Sequence, residues 1–281
     1  MIDKLATRVK DDFAHARLKA FWNHILSILG RQPTTLLSYD DVKEKLHIGG
    51  PIYRGVRTVE VKKIVGSLNR YHQFDRAFLP IDNQNADRWQ NIDRAFYQDV
   101  NLPPIVLYKV GEVYFVVDGH HRLSVAREKG QLSIDAEIRE CSTKVNITPE
   151  LKIEDLEILS EKVDFLERTE LDRIRPKARI KLTIPDGFDR MLEHIAVHRY
   201  FMGLDLKRDI PDEEAVGHWY DKVYKPIISN IRRSGILKEF PGKTEGDLYL
   251  WVLDRQRYLH DEGHKLVSPR KAAIDFLEEV K

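Results

Sequence analysis

The stretch PIVLYKVGEVYFVVDGHHRLSVAREKG, residues 104–130, limits the fold more than any other. Two apolar, β-branched runs, Ile105–Val110 and Val113–Val117, flank a Gly-Glu pair. That spacing predicts a β-hairpin with a tight turn. The second strand runs into Asp118-Gly119, and HHRLSVAREKG follows as a helix with Leu123, Val125 and Ala126 on its buried side and Gly130 as its stop. A helix that starts directly off a strand leaves its first backbone N–H groups without internal partners, at the positive end of the helix dipole. Such a place binds anions, phosphates above all.

The residues at this turn suit that chemistry. Gly119 has no Cβ to keep a ligand from the backbone. Arg122 offers a planar fork of donors matched to phosphate oxygens. His120 and His121 each add a donor, stronger when protonated near a phosphate. Basic residues in a first turn oppose the helix dipole, so these three cost stability unless an anion compensates. Asp118 repels a bare phosphate. It fits if it caps the helix, holds a histidine, or reaches a magnesium ion that bridges phosphates. The blander alternative is a plain N-cap ahead of a solvated first turn.

The chain has 281 residues, room for one large domain or two smaller ones. Its net charge of +1 provides no overall field toward nucleic acid or anionic lipid, so any such binding needs a local patch. With Cys141 as its one cysteine, the chain can form no internal disulfide, and a reducing compartment is expected. The opening MIDKLATRVKDDFAHARLKAFW mixes acids into its length and does not read as a signal peptide. No run approaches the roughly 20 apolar residues of a membrane span. A soluble cytoplasmic protein is the expectation.

Ile2, Leu5, Val9, Phe13, Ala16, Ala20, Phe21, Ile25 and Ile28 fall at helical spacing and predict one long helix ending near Gly30, with Pro33 beyond it. The stripe is expected to dock on the chain's own core, and a homodimer through it is the alternative. SYDDVKEKL is a short helix with Ser38 as N-cap. IYRGVRTVEVKKIV reads as strand, Ala86–Gln98 as helix, and IDAEIREC as strand. LKIEDLEILSEKVDFLERTEL reads as a charged amphipathic helix and ARIKLTIP as a strand. FDRMLEHIAVHRYFMG, EEAVGHWYDKVYKPIISNIRRSGIL and EGDLYLWVLDRQRYLHDEG read as helices. The fold class is thus α+β. It comprises a helical extension over 1–50, an α+β core over 51–148 and a mostly helical domain over 149–281.

The order strand, Gly-containing turn, strand, DGHHR, helix, Gly, strand resembles the ParB/sulfiredoxin superfamily, over about residues 52–141. VEVKKIV resembles that family's opening strand and first loop. The resemblance implies a nucleotide, ATP, ADP or CTP, whose phosphates lie along Gly119, His120, His121 and Arg122, with Ser67 and Arg70 touching it and Mg²⁺ on Asp118. Sulfiredoxins carry a reactive cysteine before the His-Arg pair. His120 stands there, so sulfinic acid repair is excluded for want of a thiolate. ParB partition proteins carry a GERR-type box and a later helix-turn-helix, and neither is found after Cys141. The DGHHR box is most similar to the branch that phosphorylates free serine. That branch uses a glutamate base on the first loop, GSLNRYHQFD here, which has none. Asp75, His72 and Glu60 are the nearest substitutes, and Asp118, His120 and His121 are the candidate catalytic groups. Two functions follow from the resemblance. One is a phosphotransferase acting on a small hydroxyl compound, or a nucleotide hydrolase. The other is a regulator, including a ParB-like nuclease, that binds DNA or a protein under nucleotide control. The C-terminal region resembles an uncharacterised bacterial domain through WYDKVYKPII and FPGKTEGDLYLWVLDRQRYL, which carries no activity with it.

Other constellations read as structural. Trp219, Tyr220, Tyr224, Tyr249, Trp251 and Tyr258 are core rather than a stacking platform. His194 and His198, at i and i+4, share a helix face, but no HExxH order or third ligand supports a metal site. Arg54, Arg57, Lys62 and Lys63, RSGILKEFPGK and KLVSPRK are basic runs interleaved with acids, which reads as solvated surface rather than a nucleic-acid patch. The sequence has no P-loop and no GxGxxG, and Ser124 lacks the glycine elbow of a serine hydrolase.

Overall fold

In the computed structural model, which describes residues 2–28, 36–70 and 72–261, the chain opens with helix α1 (Ile2–Ile28), the short strand β1 (Leu37–Ser38) and helix α2 (Tyr39–Lys45). Ser38 caps α2, its Oγ accepting the Asp41 N–H at 3.3 Å. Strand β2 (Pro51–Glu60), a turn of 3-10 helix (Val61–Lys63) and strand β3 (Ile64–Ser67) follow, then helix α3 (Ala86–Tyr97). The hairpin strands are β4 (Ile105–Val110) and β5 (Val113–Asp118). Helix α4 (His120–Glu128) and strand β6 (Ser133–Cys141) come next. These elements make up one compact unit, Met1–Leu156.

Its six strands form one sheet in the order β1-β3-β5-β4-β6-β2. The hairpin lies at its centre. β4 and β5 pair antiparallel, closing at Val110↔Val113, while β3 runs parallel to β5 and β6 parallel to β4. Gly111 supplies the positive φ, +60°, that the tight turn needs. Ile105, Leu107 and Val116 from the hairpin meet Leu123 of α4 and Ile138 of β6 in one buried cluster, closed by Phe74 and Phe78. β2 pairs with β6 alone and is exposed along most of its length, so it forms one edge of the sheet.

Helix α1 docks on this same unit. Phe13, Ala16 and Ala20 pack with Leu79, Trp89 of α3 and Val125 of α4. Lys129 joins the three helices, its Nζ lying 2.5 Å from Asp12, 2.9 Å from the fully buried Asp93 and 2.7 Å from the Tyr97 hydroxyl. Phe21 departs from the expected stripe. It is 55% exposed because Ala20, one residue earlier and about 100° round the helix, takes the inward position. Gly30 and Pro33, the expected stop, and the side chains of Ile2 and Ile28 lie outside the described residues.

The second unit, Glu157–Lys281, takes in most of helix α5 (Asp155–Thr169), then α6 (Leu171–Ile174), α7 (Gly187–Leu206), α8 (Asp212–Trp219), α9 (Lys225–Ser234) and α10 (Glu245–Asp261). Among the described residues it contains no strand. ARIKLTIP therefore belongs to no regular element, which corrects the expected strand. Ile180 and Leu182 are buried in alternation, which imitates the strand pattern, but no other strand pairs with them. The carboxylate of Asp247 does that work instead, accepting the Thr183 N–H and hydroxyl at 2.8 Å each. Between α8 and α9 the chain makes a turn of π-helix, Tyr220–Tyr224, in which the Lys225 N–H bonds back to the Tyr220 carbonyl. Pro226 comes next and has no N–H to continue an α-helical ladder, which accounts for the wide turn. Trp219, Tyr224 and Tyr249 are buried together, with the Trp219 indole donating to the Tyr249 hydroxyl at 3.0 Å. Tyr220 and Trp251 are half-buried, and the side chain of Tyr258 lies outside the described residues. The α+β class, the long N-terminal helix and the mostly helical C-terminal region are all present. No described helix is long and apolar enough to cross a membrane.

Candidate functional site

β5 ends at Asp118 and α4 begins at His120, with Gly119 as the N-cap between them at φ +95° and ψ 23°. A Cβ on Gly119 would stand 2.4 Å from Cγ2 of Ile105. The missing side chain thus makes room for the neighbouring strand. No side chain caps α4, so the capping role considered for Asp118 is corrected. Asp118 instead pairs with Arg122 one turn on, Oδ2 to NH2, at 2.5 Å. The other terminal nitrogen of Arg122 donates to the carbonyls of Pro103 and Pro104, the latter at 2.9 Å.

His120 and His121 are not the solvated first turn of the bland reading, since each is only 5% exposed. His120 Nε2 lies 2.7 Å from Ser67 Oγ, which also accepts the Arg70 N–H at 3.2 Å. The strand and the loop that follow the 3-10 turn are thereby tied to α4. Phe74 forms the floor, stacked on His120 at 6.1 Å and edge-on to His121 at 5.3 Å. Both ring nitrogens of His121 are buried without a hydrogen-bond partner. Orphaned buried polar atoms are costly and rare, and call for an occupant. Burial, reinforced by Arg70, pushes the His120 imidazole down to about 4. Burial, reinforced by Arg88 and Arg70, does the same for His121, also to about 4. Both rings are therefore neutral near pH 7.

Arg70, Arg88, Asp118, His120, His121 and Arg122 line one hollow of about 90 Å³ at the start of α4. Arg88 escapes the sequence reading. It lies on α3, 30 positions before the box, and only packing brings it in. The fully buried Trp89 beside it donates its indole N–H to Ser124 of α4 at 2.9 Å. The available signal is a basic residue next to the one tryptophan of the helix expected over Ala86–Gln98.

Of the residues weighed as a base, none lines the hollow. Glu60 is at the far end of β2, paired with Lys62 at 2.9 Å and Lys63 at 2.6 Å. Asp75 is buried, accepting Asn23 Nδ2 at 2.9 Å and the Leu79 N–H at 2.8 Å, and burial raises its carboxyl above the usual range. His72 is exposed. Cys141 is buried 3.4 Å from the Tyr39 hydroxyl, and burial raises its thiol, which leaves it unreactive. In the basic cluster near β2, Arg54 pairs with Glu140, as Lys62 and Lys63 do with Glu60. KLVSPRK lies outside the described residues.

No family model matches the chain, and no curated protein matches it. Among solved structures, one described as a Pnob8-like ParB-N domain is similar to it over 72% of this chain and 90% of that one, at 12% identity and a TM-score of 0.21.

Proposed function

We propose that the hollow at the start of α4 receives the phosphate end of a nucleotide, ATP, ADP or CTP, with Mg²⁺, and that the chain transfers or hydrolyses a phosphoryl group. The observation that carries this reading is His121, with both ring nitrogens buried and unpartnered beside Arg70 and Arg88. An anion there meets two guanidinium groups, the orphan N–H groups of the first turn and two imidazoles that can take up protons. About 90 Å³ suits a phosphate group, since a whole small-molecule ligand needs several hundred. The nucleoside would therefore lie outside the hollow.

Asp118 fits a magnesium role at the rim. Its side chain is 62% exposed, and Mg²⁺ at phosphate sites takes one or two carboxylates beside phosphate oxygens and water. The ion would neutralise phosphate charge. The protein's part is to position the phosphates through Arg70, Arg88 and the α4 N-terminus, and to exchange protons at His120 and His121. Phosphoryl transfer depends mainly on such positioning and charge neutralisation, so a small hydroxyl compound such as serine is a suitable acceptor.

A second reading, a nucleotide-controlled regulator that binds DNA or a protein without turnover, is favoured by one observation. The one carboxylate lining the hollow, Asp118, is already engaged by Arg122, which leaves no free carboxylate to act as base on an acceptor hydroxyl. Calorimetric titration with ATP, ADP, CTP and GTP, with and without Mg²⁺, tests the common premise. Binding of one nucleotide, lost in His121→Ala, is expected; no binding by the parent defeats both readings. Incubation with the bound nucleotide and free serine then separates them, since turnover supports the first and binding alone the second.

A further inference from the structure

Helix α7 is apolar on two sides. Phe188, Met191, Ile195 and Met202 are buried on the inner side. Val197, Tyr200, Phe201 and Leu204 stand on the outer side, each more than half exposed. They fall at i, i+3, i+4 and i+7, so they form one ridge about two turns long. A helix that is apolar all round is ordinarily covered all round, and a contiguous exposed apolar patch marks an interaction site. Tyr200 and Phe201 meet edge to face at 5.5 Å in the middle of the ridge. Exposed aromatic rings of this kind are enriched at the centres of interfaces.

Beside the ridge runs an open groove of about 930 Å³ between α7, the end of α5 and α8. Ile195, Ile210 and Val216 are its buried floor, and Tyr200 and Leu204 belong to both ridge and groove. Four cations, Arg168, Arg199, Lys207 and Arg208, line the groove against two carboxylates, Asp209 and Asp212. Asp212 is taken by Arg199, and Arg208 is taken by Glu214 at 2.5 Å. Arg168 and Lys207 have no carboxylate partner among the described residues. All of these side chains belong to the second unit.

We propose that the ridge and groove of α7 receive an amphipathic helix with acidic flanks, contributed by a partner protein. A two-turn apolar ridge beside a groove is the surface on which a helix lies lengthwise, its own anchors recurring at i, i+3, i+4 and i+7. A small molecule held in the groove would leave Val197 and Phe201 bare, since neither lines it. The unmatched Arg168 and Lys207 set the sign of the partner's charge: carboxylates beside its apolar face complete their pairing, and lysines would be repelled. A second copy docked face to face would bring the same excess of positive charge to the seam, because a two-fold interface presents one patch to itself.

The test uses the full chain and two labelled synthetic peptides of about 15 residues, enough for four helical turns. Both carry leucines at i, i+3, i+4 and i+7. One has glutamates at the flanking positions, the other lysines. Fluorescence anisotropy should show the glutamate peptide binding one to one and the lysine peptide at least about tenfold more weakly. Phe201→Ser and Leu204→Ser, at exposed positions where the fold does not depend on the side chain, should each weaken the glutamate peptide by about tenfold or more. The double variant Arg168→Glu with Lys207→Glu should reverse the preference, so that the lysine peptide binds better. A parent that binds neither peptide, or both alike, overturns the proposal, as do variants that bind like the parent. A parent that sediments as a dimer and becomes a monomer in Phe201→Ser also overturns it, since the face then belongs to a second copy.

Discussion

Gly119 meets two demands at once, a left-handed φ of +95° and a 2.4 Å approach between an added Cβ and Ile105. Gly119→Ala must strain the backbone and push β4, at a cost of about 3 kcal/mol. A urea midpoint well below that of the parent, with the slope unchanged, is the expected result. Arg88 makes the opposite case. It is exposed, so Arg88→Ala should alter stability by less than about 0.5 kcal/mol. It should nonetheless weaken nucleotide binding by roughly tenfold to a hundredfold, the worth of one hydrogen bond to a charged group. Arg88 also helps hold the His121 imidazole down, so the same variant should move that ring's titration upward, as followed by NMR. The residues of the DGHHR box can be read from the sequence because they are contiguous. Arg88 cannot, because its place depends on how α3 lies against α4.

At the scale of elements, Lys129 joins α1, α3 and the end of α4 through Asp12, Asp93 and Tyr97. Lys129→Met would leave Asp93 fully buried with no cation beside it. A loss of about 3–5 kcal/mol is expected, the range for breaking one partner out of a buried pair. The loss should be read by denaturation, together with faster hydrogen exchange in α1. Elements set by local pattern come through the sequence nearly intact. The hairpin, α2 with its Ser38 cap, α3 and β6 stand within a few residues of their expected bounds. What depends on distant partners does not come through. β1 has two residues and exists only because β3 runs beside it, and ARIKLTIP alternates in burial like a strand without being one. Alternation reports which side chains are buried, and is silent about what pairs with the backbone.

For the whole molecule, the neutral buried histidines couple folding to pH. His120 and His121 titrate at about 4 in the folded chain, against about 6.5 for a free imidazole. Below about 6.5 the unfolded chain takes up protons that the folded chain refuses, so stability falls with pH and the loss is complete below about 4. Each ring contributes up to about 3 kcal/mol across that window. Denaturant midpoints measured against pH should slope more steeply in the parent than in His121→Gln. A bound phosphate reverses the sign locally by favouring the imidazolium. Nucleotide binding between these pH values should therefore take up protons, seen as a dependence of the calorimetric heat on buffer ionisation enthalpy.

The wide turn at Tyr220–Tyr224 acts as a phase shifter. It takes up one extra residue within about one turn of what would otherwise be a plain α-helical rod from Asp212 to Ser234, and so sets the compass bearing of everything after it. Ile227, Ile228 and Ile231 are buried on the bearing that this turn dictates. Removing a single residue between 220 and 224 should let the turn close to an ordinary α-helical one, because four residues at about 100° each cover nearly the arc that five cover in the wider turn. Circular dichroism should then report nearly full helicity, and the fluorescence of Trp219 a core that still closes, whereas the same deletion within Ile227–Ile231 should open it.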